Sequence, residues 1–396
     1  MRVYSNLANP EYRTTPFTDF ASINRRTDLR SLNLNWRERD LPERERTKHV
    51  HRLHPYLGKF IPQVVEIFLR KFRPPRVYDP FCGCGTTLVE ANALGIDSVG
   101  CDISAFNCLI TRAKTASYDV RETEHELRDA LRELHLRFTP NLFGGGEEAE
   151  QLKNEYLQQW FHPDALRALL LYRSLIPRYK YQDLMNVILS RAARSARLTT
   201  HHNLDFPKEP QREPYECRKH GGICTPTTDA YQFIRRYTLD TIDRVTEFAR
   251  IRTEAKVEVL WEDATSVKLP KFDMIMTSPP YVGLINYHEQ HRYAYELLRL
   301  PRRDESEIGS ASKGSSAKAH QEYLQGIKNA LANARKYLKK GGVAVVVIGD
   351  RKNLYTDDLA KELGFRVAER LQRHVNRRTG RRNSDFFEDV LIWQAK

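Results

Sequence analysis

The chain has no apolar run that approaches the roughly 20 residues a membrane-spanning helix needs. Its first residues hold no apolar core of the kind a secretory signal carries. Both absences lead to the expectation of a cytoplasmic protein with no membrane partner. No internal repeat is visible. Cysteine is scarce: six stand in 396 residues, and Cys82 and Cys84 share one predicted turn. Such spacing makes no disulfide framework and fits a reducing compartment. Acids are fewer than bases, 51 against 64, which leaves a net charge of +13. That excess points to a polyanionic partner, nucleic acid first; it says nothing of fold.

At 396 residues the chain has room for a full core plus an appended domain or large insertion. Residues 1–50 are polar and rich in arginine without sustained periodicity, and read as a solvated, partly ordered arm. A helix over Val64–Leu69 follows, with Pro62 near its first turn and Pro74-Pro75 ending it. From Val77 strands and helices alternate, as in a sheet with crossover helices. Residues 118–255 break that alternation with mostly helical patterns and one irregular stretch, His201–Thr228. The α/β pattern resumes at Val257–Leu260 and Phe272–Thr277. It closes with a helix over Lys318–Leu338, a strand Val343–Ile348 and a hairpin of Arg366–Val375 and Phe386–Trp393. The expected organisation is an arm (1–50), an α/β catalytic unit (51–117 and 256–396) and a helical insertion (118–255) that reads the target.

Two motifs carry chemistry. Ser278-Pro279-Pro280-Tyr281 follows the apolar run Phe272–Thr277, so two prolines end a buried strand and leave a rigid loop at its carboxyl edge, where open α/β sheets bind ligands. Prolines remove donors, the Ser278 hydroxyl adds an acceptor and Tyr281 offers a stacking face, which together suit a flat ring bearing an NH2 group. The other motif is Asp79-Pro80-Phe81-Cys82-Gly83-Cys84-Gly85-Thr86-Thr87, a strand entering a loop with glycines two apart and then a helix that Thr86 and Thr87 can cap. The next strand ends in Asp102, the acceptor that grips a ribose diol in Rossmann-like folds, with Ile103 beside it. Leu88 stands where a third glycine would complete a dinucleotide fingerprint, so a nucleoside without phosphates is the better fit. Asp79 either touches that ligand or holds the loop.

These motifs together resemble the S-adenosylmethionine-dependent DNA amino-methyltransferases, in their cytosine-N4 branch. The resemblance takes in Arg52–Pro62, where the family binds the cofactor's methionine end, implying roles for Tyr56, Lys59 and Phe60. It also takes in Trp261–Ala264, whose Asp263 would lie near the adenine. It implies a Rossmann-like seven-stranded α/β sheet with helices on both faces and an antiparallel last strand. The implied activity is methyl transfer from S-adenosylmethionine to N4 of a flipped cytosine in double-stranded DNA. A restriction-modification or host-defence setting and a cognate restriction endonuclease come with it. Serine before Pro-Pro-Tyr favours cytosine, because adenine-N6 members usually carry Asp or Asn. No cysteine follows a proline, which closes the carbon-5 route. Adenine-N6 transfer, RNA guanine-N2 transfer and a catalytically inactive binding protein are the alternatives.

Two further groups complete the expectations. Arg191, Arg194 and Arg197, spaced by three, and Arg377, Arg378, Arg381 and Arg382 in the last hairpin are assigned to DNA phosphates, against a solvated face. Cys217, His220 and Cys224, with His201 and His202 upstream, have the residue types of a zinc site but not a standard finger's spacing. The expectation there is no metal.

Overall fold

The structure, a computed structural model, describes residues 4–6, 18–36, 39–138, 153–205, 207–217, 219–314, 316–350, 352–375 and 386–396. Among the described residues nine strands follow in chain order: β1 (Arg76–Asp79), β2 (Asp97–Cys101), β3 (Tyr215–Cys217), β4 (Gly222–Cys224), β5 (Val257–Leu260), β6 (Phe272–Thr277), β7 (Leu338–Ile348), β8 (Phe365–Val375) and β9 (Phe386–Ala395). Seven of them form one sheet in the order β5-β2-β1-β6-β7-β9-β8, while β3 and β4 pair apart. The first five of that order run parallel, and β9 lies antiparallel to both β7 and β8. Strand order reverses between β1 and β6, so the carboxyl ends of those strands frame the crevice where such sheets take ligands. The α/β sheet expected from the sequence, with its antiparallel last strand, is the one formed.

Alternation of side chains sends each strand into two cores. Val345 and Val347 of β7 and Val390 and Ile392 of β9 join the cluster covered by helix Pro62–Phe72. Ala344 and Val346, Leu391 and Trp393 point the other way, under helix Ala317–Tyr337. Covering both faces is what lets parallel strands read as unbroken apolar runs.

The described residues among the first 50 do not form the solvated arm that polarity predicts. Ile23, Leu32 and Leu34 are buried in the same cluster as Leu371 and Val390. Burial of each such side chain contributes about 1.5–3 kcal/mol relative to exposure. The segment also lies along β8, the sheet's last strand: Ser5 N–H donates to Arg370 O at 2.8 Å, and the Asn6 amide bonds both ways with the Gln372 backbone at 2.9 and 3.1 Å. An edge that would otherwise present free backbone groups is thereby occupied.

The inserted region contributes helices Val120–Phe138, Pro163–Leu175, Gln182–Ala196 and Tyr231–Ala249. Leu134, Leu169, Ile188 and Val245 from these helices share a core with Phe106, Leu109 and Ile110 of helix Ala105–Thr115. The insertion therefore packs on the sheet's own helix as part of a continuous core. Among the described residues, no helix is long and apolar enough to cross a membrane.

Candidate active site

At the end of β1 the chain folds back on β2. Cys82 N–H donates to Cys101 O at 3.0 Å, and Gly85 N–H to Cys82 O at 2.7 Å. Gly83 and Gly85 hold φ of +50° and +80°, the left-handed region that side chains avoid. A Cβ on Gly85 would lie 2.7 Å from Thr111 Cγ2. Gly85 is also the N-cap of helix Thr86–Ala93, so neither threonine caps it, in contrast to the sequence reading. Thr87 Oγ1 instead donates to Asp79 Oδ2 at 2.6 Å.

Asp79 is fully buried and its acceptors are spent on the protein. Oδ1 takes Thr277 Oγ1 at 2.7 Å and Phe81 N–H at 3.1 Å, which ties β1 to β6 and to the loop. Burial is the main cause that raises its carboxyl to about 6, and the Thr87, Thr277 and Phe81 bonds oppose it. Asp102, at the tip of β2, is half-buried. It accepts Gly83 N–H at 2.9 Å on Oδ2, with Ser104 N–H at 2.8 Å and Asn107 Nδ2 at 3.1 Å on Oδ1. Burial raises its pKa too, while those donors favour the charged form.

In front of Asp102 lies a cavity of about 840 Å³, counted to its open mouth. Of the residues predicted for the cofactor, Tyr56, Lys59, Phe60, Phe81, Gly83, Thr86, Asp102, Ile103 and Asp263 line it; Asp79, Gly85 and Thr87 do not. Tyr56 stacks on Tyr287 and His291, with ring centroids 5.8 and 5.5 Å apart, and its hydroxyl accepts from Asn107 at 3.0 Å. Lys59 donates to His51 O at 3.2 Å, and burial lowers its ammonium to about 8. Asp263 Oδ1 accepts from the Thr265 backbone and hydroxyl at 2.8 and 2.7 Å.

Ser278 and Pro280 line the same cavity, so the two motifs meet in one space. Pro279 and Tyr281 are not among the residues that line it. The Tyr281 hydroxyl donates to Glu388 Oε1 on β9 at 2.9 Å, and its ring lies 6.2 Å from that of Phe386. Glu388 is in turn paired with buried Arg373 at 3.3 Å.

Several lining residues were not found from the sequence: Asn107, Tyr287, His288, Glu307 and Ile308. His288 and Glu307 are both buried and hydrogen-bonded through Nδ1. Nε2 of His288 accepts Arg303 N–H at 3.3 Å. Glu307 Oε2 has no partner, although it is buried against the cavity. No local pattern marks these positions; Asn107 comes from helix Ala105–Thr115, and the path of the chain after Tyr281 brings in the other four.

The arginine row needs correction. Arg191 is buried, paired with Asp240 and set over the Tyr237 ring at 4.1 Å. Arg197 is buried over the Tyr293 ring at 4.3 Å, and Arg194 pairs with Asp205. Their charges are used within the protein, Arg197 reaching Tyr293 beyond the insertion, so these three do not form a face for phosphates. Arg377, Arg378, Arg381 and Arg382 lie outside the described residues. Cys217, His220 and Cys224 are brought together, and His201 joins them.

Comparison with known proteins identifies the family. A family model described as DNA methylase matches residues 272–391. The type II methyltransferase M.MjaII of Methanocaldococcus jannaschii is 36% identical, with 89% of this chain and 81% of that one aligned. The type II methyltransferase M.MvaI of Kocuria varians is 23% identical over 65% of this chain and 59% of its own. Among solved structures, an rRNA methyltransferase, aviRa of Streptomyces viridochromogenes, overlaps 86% of this chain and 88% of its own at 13% identity and a TM-score of 0.32, too low to bear on function. With the two motifs in one cavity at the sheet's switch point and a relative this similar along most of both chains, this protein belongs to the N6/N4 DNA methyltransferase family.

Proposed function

We propose that this enzyme methylates the exocyclic N4 amine of a cytosine flipped out of double-stranded DNA. S-adenosylmethionine is the methyl donor of the family and, when bound, supplies an electrophilic methyl group on a sulfonium. The cavity fits its nucleoside end. Asp102 offers a carboxylate to a diol, Gly83 lets the backbone approach with no side chain in the way, and the unpartnered Glu307 Oε2 is an acceptor awaiting a donor. Tyr56, Lys59 and Phe60 would hold the methionine end, and Asp263 the adenine side. Asp79 and Thr87 would act from below, by fixing the loop.

The observation that carries the base assignment is Ser278 at the cavity wall, joined to a loop of two prolines. Cytosine N4 is conjugated with its ring and weakly nucleophilic. Acceptance of its hydrogens by the Ser278 hydroxyl and the Pro279 carbonyl favours a pyramidal nitrogen with a free lone pair. No strong base is required, because the methylated nitrogen becomes acidic enough to lose a proton to water. Pro280 stiffens the loop, and Tyr281, pinned through Glu388, is a fixed aromatic surface beside the flipped ring. A restriction-modification setting with a cognate endonuclease is part of this reading. Digestion of modified DNA to nucleosides tests the assignment: N4-methyldeoxycytidine is expected, and N6-methyldeoxyadenosine as the dominant product overturns it.

A further inference from the structure

The stretch between helices Gln182–Ala196 and Tyr231–Ala249 poses a stability problem. From 200 to 229, Cys217 is the one buried residue among those described, and the hairpin β3–β4 exposes Ile223 to 73%. A two-stranded hairpin without an apolar face is marginal in water at best. Small elements of this kind are ordinarily held by a covalent or metal staple.

Four donor atoms converge where that staple would be needed. His201 Nδ1 lies 3.3 Å from Cys217 Sγ, His220 Nδ1 lies 3.8 Å from Cys217 Sγ, and His220 Nδ1 lies 3.2 Å from Cys224 Sγ. All four ligand atoms fall within 4.8 Å of one another. Tetrahedral zinc, with Zn–S near 2.3 Å and Zn–N near 2.05 Å, places neighbouring sulfur and nitrogen ligands about 3.5 Å apart. The backbone prepares the site: Cys217 O accepts from His220 N–H at 3.1 Å and Gly221 N–H at 2.9 Å, and Gly221 takes φ of +67° to complete the turn. Another group, His49, His51 and Glu90, is less suited. There Glu90 already carries the Lys48 ammonium at 3.0 Å, so a cation would compete with the protein's own.

The geometry points to a structural zinc ion held by His201, Cys217, His220 and Cys224. Two thiolates and two imidazoles match the preference of Zn2+, and four protein ligands leave no open position for chemistry. The ion would anchor the hairpin to the end of helix Gln182–Ala196, ordering the outer part of the insertion. This inference does not rest on which base is methylated.

The test is metal analysis of full-length protein purified without chelator, followed by titration of the metal-free form with Co2+. One zinc per chain is expected, and the cobalt form should show tetrahedral d–d bands with a thiolate-to-metal charge-transfer band. Cys217→Ser and Cys224→Ser should each weaken metal affinity by at least about 100-fold. Chelation of the wild type should open residues 200–229 to protease, a readout that needs no variant. Octahedral cobalt bands, zinc retained by both serine variants, or a folded wild type that binds neither metal overturns the site.

Discussion

Two acids end neighbouring strands of the sheet, and they do different work. Asp79 closes β1, faces away from the cavity and gives its oxygens to Thr87, Thr277 and the Phe81 backbone. Asp102 closes β2 and lines the cavity, with its carboxylate oriented by three donors. Position at a strand tip thus does not assign a role; the neighbours that reach each carboxylate do. A buried acid with all its acceptors taken is a fastener, whereas one turned toward open space is a ligand group in waiting. The same division recurs at the other end of the cavity. Ser278 lines it, and Tyr281 is held back by Glu388.

The sharpest way to break this comparison is to remove the fastener. Asp79→Ala strands two hydroxyls and a backbone donor in the core and should cost about 3 kcal/mol or more of stability, read as a fall in denaturant midpoint. A stable Asp79→Ala protein that fails to bind S-adenosylmethionine would instead move Asp79 to the ligand.

A slightly smaller effect concerns acid. The Asp79 carboxyl rises from 3.8 unfolded to about 6 folded, so the folded state holds the extra proton between those values. This contribution is fully present below pH of about 4 and is lost as pH rises to about 6, roughly 3 kcal/mol in all at 1.36 kcal/mol per unit. Asp79→Asn should flatten that stretch of the stability curve; an unaltered slope assigns it to other groups.

Asp102→Ala should weaken S-adenosylmethionine binding by about 1–3 kcal/mol in calorimetry with the midpoint nearly unchanged. Equal binding in the folded variant would take Asp102 out of the site. The smallest change is expected of Tyr281→Phe, which loses the hydroxyl's bond to Glu388 and its interaction with Ser278. Turnover should fall by a few-fold, within about 0.5–1.5 kcal/mol, with cofactor affinity intact. A drop of a thousandfold would give the hydroxyl a direct part in the reaction.

What the sequence made legible follows from distance along the chain. The loop Asp79–Thr87 and the acid at Asp102 are neighbours in sequence as in space, so spacing alone located that half of the cavity. The strand Phe272–Thr277 and its proline stop were equally local. Glu307 and His288 stand 19 positions apart with helix Arg292–Leu298 between them, and no periodicity announces that they meet. Arg191, Arg194 and Arg197 show why a charge row misleads: spacing by three places side chains near one helix face, but not whether Asp240, Asp205 and Tyr293 will be waiting there. Residues 18–36 misled through composition, because their many polar groups hide Leu32 and Leu34.

Occupation of the β8 edge has a consequence for how the chain is made. Asn6 and its partner Gln372 are 366 positions apart. During vectorial synthesis at roughly 5–20 residues per second, Asn6 emerges about 20 to 70 s before Gln372 exists. The part of the chain translated early is thus among the last to find its place, and the growing sheet must pass through a stage in which β8 has just emerged with its outer edge bare. Closure by the early segment then acts as a final latch, and its timing sets how long a nascent chain stays open to strand addition from another polysome product.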